Sequence, residues 1–201
     1  MLLPIEAEKE LEVSSQMNPG QWVRHSRSVA ENAKLIAAQI ESMDESQAYV
    51  MGLLHDIGRR AGNKALLHTF DGYDYMCSIN QPKIARICLT HSFPIQDIHT
   101  FFGRFDCTQE QKEFLENYLK QVTYDEYDRL IQLCDAISLP NGACIMEKRL
   151  VDVALRHGLP KCTIEKWKAF MELKKHFDKL CGCNIYTLLP NVMQNSYSDL
   201  I

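Results

Sequence analysis

The chain lacks the segments that would place it in a membrane or mark it for export. No stretch approaches the roughly 18 consecutive apolar residues that a membrane-spanning helix needs. The opening segment, residues 1–10, turns acidic at once and has no basic start of the kind found in secretory signal peptides. We therefore expect a cytoplasmic protein that has no membrane partner.

The sequence also lacks a paired-cysteine metal motif and an excess of basic residues. None of the eight cysteines forms a CxxC pair, and Cys181 and Cys183 are the only two that lie close together. Because a reducing compartment is expected, the cysteines favour small buried side chains over disulfides. A net charge of −4 argues against a nucleic-acid partner but is compatible with a small phosphorylated ligand held by a metal.

The sequence does contain a succession of helical patterns. Its 201 residues, 46% of them hydrophobic, are enough for one core. No sustained two-residue alternation indicates strands, and there is no internal repeat or low-complexity linker. Apolar residues instead recur at three- and four-residue steps, as at Val29, Ala33, Ile36 and Ile40. The pattern predicts an all-α fold, with a single compact multi-helix domain over residues 1–201.

The predicted helices cover most of the chain. Pro190 is followed by a polar tail, which we expect to be disordered. The segment 92–107 and the turn 140–142 are expected to be irregular. The predicted helical ranges are 4–16, 21–41, 46–59, 68–79, 82–91, 109–121, 124–138, 144–157 and 163–180.

Five residues together indicate a divalent-metal site: His25, His55, Asp56, His91 and Asp135. The adjacent His-Asp pair interrupts an apolar run, and burying an imidazole beside a carboxylate is costly unless something compensates them. Imidazole nitrogens and carboxylate oxygens are ligands that zinc, manganese, iron and nickel accept. Helices that face one another in a bundle can bring such side chains together. The pattern therefore predicts a metal site inside the domain.

Three stretches resemble the signature segments of the HD superfamily of metal-dependent phosphohydrolases. They are WVRHSRSVA at 22–30, GLLHDIG at 52–58 and LIQLCDA at 130–136. The resemblance covers residues 20–140 and implies an α-helical HD-domain core. It further implies that His25, His55, Asp56 and Asp135 hold a first metal ion. Residues 141–190 match no motif and are predicted to form a C-terminal helical extension.

Two further histidines, His68 and His91, match the positions that complete a second metal site in binuclear members, with Asp56 bridging the ions. This pattern is similar to that of the bacterial group that hydrolyses diadenosine tetraphosphate. It departs from the cyclic-di-GMP phosphodiesterase group, because Ser92 follows His91 and Asp74 stands where a proline is expected. One or two divalent ions are thus expected, with iron, manganese, zinc, nickel and magnesium all left open.

A site of this kind predicts hydrolysis of a phosphate ester or anhydride in a nucleotide-like small molecule by metal-activated water. Asp56 is the predicted bridging carboxylate, and Arg59 and Lys64 are the nearest cations that could neutralise phosphoryl charge. Solvated helix-surface charge is the alternative for Arg59 and Lys64. For Arg149, on a later helix, solvated helix-surface charge is the favoured interpretation.

Two other functions remain open from the sequence. The same superfamily includes di-iron oxygenases, and a non-catalytic metal- or nucleotide-binding sensor would keep the ion as a structural element. The complete ligand set weighs against the sensor, and no basic loop specific to the oxygenases is recognisable. A homodimer is possible. His99, His157 and His176 are interpreted as structural or exposed.

Overall fold

The structure, a computed structural model, describes residues 1–197. Ten α-helices dominate this part of the chain, and the predicted all-α fold is confirmed. The first five are α1 (Pro4–Met17), α2 (Gln21–Ala37), α3 (Glu45–Leu54), α4 (Leu67–Ser78) and α5 (Pro82–Thr90). The others are α6 (Gln109–Gln121), α7 (Glu126–Ala136), α8 (Met146–His157), α9 (Thr163–Cys181) and α10 (Val192–Tyr197). No helix within residues 1–197 is both long and apolar enough to cross a bilayer.

Side-chain caps fix several helix starts. Asp44 Oδ1 accepts a hydrogen bond from the Gln47 amide at 2.9 Å at the start of α3. Thr108 and Gln111 form a capping box at the start of α6. Each cap satisfies an amide that the first helical turn would otherwise leave without a partner.

A small hairpin follows α7 and was not predicted. Its strands, β1 (Ser138–Leu139) and β2 (Gly142–Ala143), pair antiparallel. Gly142 has a φ of +128°, a conformation that a residue with a side chain rarely adopts, so the glycine permits the turn. Two-residue strands are too short to produce a recognisable alternation in the sequence.

Helix α10 packs on this hairpin. Asn195, in α10, is buried and donates from Nδ2 to the Ala143 carbonyl at 2.9 Å. The disorder expected after Pro190 is therefore wrong for Val192–Tyr197. The rest of the predicted tail, residues 198–201, lies outside the described residues.

The C-terminal helices share a core with the helices that come before them. One cluster of buried side chains joins Val29 and Ile36 of α2 and Leu130 of α7 with Phe170 and Phe177 of α9. The segment predicted as a C-terminal extension is thus packed against the elements that carry His25 and Asp135.

A glycine makes possible the close crossing of α2 and α3. A Cβ placed on Gly52 in α3 would lie only 2.8 Å from Ala30 Cα in α2. This approach brings the end of α3 beside α2, and the rings of His25 and His55 lie with their centroids 5.5 Å apart. The crossing therefore positions the first two predicted ligands.

All eight cysteines are free. Three of them, Cys88, Cys134 and Cys144, are buried as small apolar side chains, whereas Cys77 is exposed.

Candidate metal centre

The His55-Asp56 pair lies at a break in the helix. The predicted helix 46–59 ends at Leu54, and a 3₁₀ helix follows at Ile57–Ala61. On a continuous helix, neighbouring side chains diverge by about 100°. At the break, His55 Nε2 and Asp56 Oδ2 instead lie 3.9 Å apart, and both residues are buried. The interruption therefore lets two adjacent residues contribute to one site.

A second glycine brings the next histidine to this break. A Cβ on Gly58, in the 3₁₀ helix, would lie 1.9 Å from the His68 carbonyl oxygen and 2.4 Å from the Gly72 amide nitrogen. Only a residue without a side chain allows this approach of the 3₁₀ helix to α4. As a result, His68 Nε2 lies 3.0 Å from Asp56 Oδ1.

Five of the six predicted ligands form two groups that share one histidine, and His68 joins them through its contacts with Asp56 and His91. The ligand atoms of His25, His55 and Asp135 lie within 4.8 Å of one another, and so do those of His55, Asp56 and His91. His25 Nε2 is 2.8 Å from Asp135 Oδ1. We call the complete set the metal floor: His25, His55, Asp56, His68, His91 and Asp135.

Backbone carbonyls orient three of the imidazoles in the same way. His55, His68 and His91 each direct Nδ1 to the carbonyl oxygen three residues earlier, at 2.7 Å for His55 and 3.0 Å for His91. Because a carbonyl can only accept, Nδ1 carries the proton in each ring. The Nε2 lone pair of all three is left for the interior, which is the arrangement usual for metal-ligating histidines.

The result is a set of acceptors that face one another. His68 Nε2 lies 3.4 Å from His91 Nε2 and 3.0 Å from Asp56 Oδ1, and none of these atoms carries a proton in this tautomer. His55 Nε2 and Asp56 Oδ1 are buried without a hydrogen-bond partner. Buried lone pairs without a donor are costly, and a bound cation would compensate them. The donor set therefore fits a divalent metal.

The surroundings keep these groups in the protonation states that metal binding requires. Burial lowers the pKa of His91 to about 3 and also lowers the pKa of His25. Burial alone would raise the pKa of Asp56, but the Arg59 guanidinium, whose Nε is 2.5 Å from Asp56 Oδ2, holds that pKa well below its usual value. Neutral imidazoles and ionised carboxylates are the forms that bind a metal.

A family comparison agrees with this geometry. The HD domain model matches residues 22–139, which is more than half of the chain. The chain belongs to the HD domain family. The family consists generally of metal-dependent phosphohydrolases, although some members are non-catalytic. The match is to the family and not to a group within it, and no curated protein and no solved structure matches the chain.

In this HD domain protein, the residues of the metal floor other than His55 line a cleft of about 1720 Å³. Aromatic side chains line part of it, and its cations outnumber its carboxylates although the chain as a whole is acidic. The aromatic residues are Trp22, Phe101, Phe102, Trp167 and Phe170. The cations are Arg24, Arg59, Lys64, Arg104, Arg149, Arg156 and Lys166, and the acids are Asp56, Asp135 and Asp152.

Two of these cations were singled out from the sequence as catalytic. Arg59 contacts the metal floor directly through Asp56. Lys64 lines the same cleft, but its Nζ lies 2.7 Å from Asp71 Oδ2, so its charge is already paired. The geometry thus favours a direct role for Arg59 over Lys64, and both catalytic roles stay predictions.

The sequence did not predict that several other residues belong to the cleft. We call Arg149, Arg156 and Lys166, from α8 and α9, the cationic wall. Arg149 was interpreted as helix-surface charge and His157 as structural or exposed; His157 is exposed but lies at the cleft. The signal for Lys166 was present, since it occupies a buried stripe of α9 that also includes Phe170. A lysine in such a stripe is unusual, because lysine side chains are almost never fully buried unless they are paired.

The other two histidines lie apart from the cleft lining. His99 is exposed, and His176 Nε2 pairs with Glu126 Oε2 at 2.6 Å. Their interpretation as structural or exposed agrees with these positions.

Proposed function

We propose that this protein is a metal-dependent phosphohydrolase that cleaves a phosphate ester or anhydride in a nucleotide-like small molecule. The observation that carries the proposal is the convergence of unprotonated acceptors on Asp56, at the base of a cation-lined cleft. A cation compensates those acceptors, and the surrounding positive charge suits a phosphorylated substrate.

The metal floor offers ligands for two ions. His25, His55 and Asp135 would hold one, His68 and His91 a second, and Asp56 would contact both. When bound, such ions activate water for attack and neutralise the charge that develops on phosphoryl oxygens. Iron, manganese, zinc, nickel and magnesium remain candidates.

Arg59 has two tasks in this proposal. Through Nε it fixes the orientation of Asp56 and keeps the carboxylate ionised. We assign its terminal N–H groups to a phosphoryl oxygen of the substrate, where preorganised donors stabilise developing charge. Lys64 would add positive charge at the cleft entrance while remaining held by Asp71.

The aromatic side chains suit the rest of a nucleotide. Trp22 and Trp167, with Phe101 and Phe102, give the cleft flat apolar surfaces on which a base can stack. The resemblance at His68 and His91 to the hydrolases of diadenosine tetraphosphate makes dinucleoside polyphosphates the first compounds to test. A cytoplasmic location and a homodimer stay predictions.

Metal content per chain, measured on protein purified without chelator, tests the foundation of the proposal. We expect about two equivalents, and about one fewer in each of the variants His68→Ala and His91→Ala, because each loses a ligand of the second ion. The exposed His99 supplies the matched control, His99→Ala, which should retain the full content. A protein that neither contains metal nor binds it when metal is added would overturn the proposal.

Phosphate release from dinucleoside polyphosphates and nucleotides then separates the candidate functions. Metal-dependent release supports the hydrolase. Metal retained without any release across these substrates points to the sensor. Oxygen consumption by an iron-loaded protein points to the oxygenase.

A further inference from the structure

The side chain of Lys166 is buried in the cleft wall, and the charge of Asp135 acts on it only from beyond ion-pair distance. The residue is 6% exposed, and its Nζ donates to the backbone carbonyls of Ser92 and Thr100, each at 2.9 Å. The ammonium also lies over the ring of Phe102, 4.7 Å from its centroid. Within residues 1–197, no carboxylate lies within 4.0 Å of it. Since an ammonium has three N–H groups, one remains for another acceptor.

The charge persists at neutral pH despite the burial. Burial lowers the pKa of Lys166 to about 8, so most molecules keep the proton at pH 7. A buried cation without a counter-ion is destabilising, and an anion bound in the cleft would compensate it. The contact with Ser92, the residue after His91, places this cation beside the metal floor.

Arg149 of α8 provides a second donor in the same cleft. Its side chain is 15% exposed, and it shares Asp152 with Arg156. The Arg149 Nε is buried and has no hydrogen-bond partner. Arg149 is also close enough to His25 for its charge to act on that imidazole. It therefore lies near the metal floor with an unused donor.

We propose that Lys166 and Arg149 form a subsite that binds a second phosphate group, beyond the one that reacts, in a di- or polyphosphate substrate. This inference rests on the proposed hydrolase function for its biological meaning. Both residues lie outside the segment 22–139 that matches the HD domain family, so the C-terminal helices select the substrate of a site whose metal ligands come from the family core.

The competing explanation is structural. Lys166 ties two carbonyls of the segment 92–107 to α9, and that role alone would account for its burial. A structural lysine would alter stability when replaced but would not discriminate between anions. Anion binding by the metal-free protein separates the two explanations without relying on catalysis.

The test is calorimetric titration of inorganic pyrophosphate and orthophosphate into protein held in chelator. We expect pyrophosphate to bind more tightly than orthophosphate. Lys166→Met and Arg149→Met should each weaken pyrophosphate binding by about tenfold or more, the usual effect of losing a hydrogen bond to a charged group. Lys168→Met is the matched control, because Lys168 is exposed on the same helix, and its affinity should equal that of the unchanged protein.

Equal pyrophosphate affinity in folded Lys166→Met and Arg149→Met variants would overturn the subsite. If circular dichroism shows that Lys166→Met fails to fold, Arg149→Met decides the question, because Asp152 keeps Arg156 as a partner there. In that case unchanged affinity of Arg149→Met overturns the proposal, and a tenfold loss supports it.

Hydrolysis of p-nitrophenyl phosphate, which has a single phosphate group, keeps this inference distinct from the proposed function. Release of p-nitrophenol by the metal-loaded, unchanged protein would support the hydrolase, and equal pyrophosphate affinity of the two variants would still overturn the subsite. Pyrophosphate binding in a protein that hydrolyses nothing would support the subsite and defeat the hydrolase.

Discussion

The metal floor and the cationic wall face the same cleft but are built differently. In the floor, Asp135 is half-buried, the other five residues are buried, and three imidazoles are fixed by backbone carbonyls. In the wall, Arg156 is half exposed and pairs with Asp152, and Lys166 alone is deeply buried. Rigid backbone contacts suit metal ligation, because metal ligands tolerate little displacement. Long cationic side chains can instead adjust to phosphate groups whose positions differ between substrates.

The two regions also differ in their place along the chain. Every residue of the floor lies within 22–139, the segment that matches the HD domain family, and every residue of the wall lies after it. With the roles proposed above for the floor and the wall, this division predicts that the reaction and the choice of substrate can be altered separately. The following substitutions test the floor, and the variants of Lys166 and Arg149 described above test the wall.

Asp56→Asn should have the largest effect. We expect a loss of turnover of more than about a hundredfold together with a loss of bound metal, since even a group that only orients a metal ligand costs 10–100-fold when removed. Metal analysis and phosphate release measure both effects. Asp97→Asn, at an exposed helix cap, is the control and should behave as the unchanged protein. Undiminished turnover in Asp56→Asn would refute the role of the floor.

Gly58→Ala should disrupt the floor through the backbone. The added Cβ would collide with the His68 carbonyl and the Gly72 amide, so we expect the free energy of unfolding to fall by about 3 kcal/mol or more. Urea denaturation of the metal-free protein measures this. Gly158→Ala, at a positive φ of 81° with no atom within 4 Å of the new Cβ, should cost only about 1 kcal/mol. Equal costs would mean that the floor is not held by this close approach.

Arg59→Ala and Lys64→Ala should differ although both cations line the cleft. Arg59 holds Asp56, so its loss should reduce turnover by about 10–100-fold, as for other groups that orient a metal ligand. Lys64 is paired with Asp71, and its loss should cost less than about fivefold. Steady-state kinetics on the same substrate provide the comparison. Equal losses would show that the two cations act alike and that contact with the floor is not what distinguishes Arg59.

Much of the site could be inferred from local sequence. His55 and Asp56 are conspicuous because polar residues interrupt an apolar run, and the positions of His25 and Asp135 complete a known spacing. The helices were also predictable, since their periodic apolar residues repeat over many positions. The features that the sequence failed to predict are short or irregular: the break after Leu54, the two-residue strands and the helix Val192–Tyr197. Such features carry few periodic positions, and contacts with distant residues decide them.

By itself, the sequence determined the fold class and singled out His55 and Asp56 as candidate metal ligands, because helical periodicity and the cost of burying a histidine beside an aspartate are both local properties. The other candidate ligands rest on the resemblance to a family. Only the tertiary structure decided how the ligands meet, through the close approaches at Gly52 and Gly58. It also decided that Arg149 and Lys166 belong to the cleft. The physical reason is that the residues next to a lysine or arginine on a helix do not show which part of the protein its side chain faces. The packing of the C-terminal helices decides this.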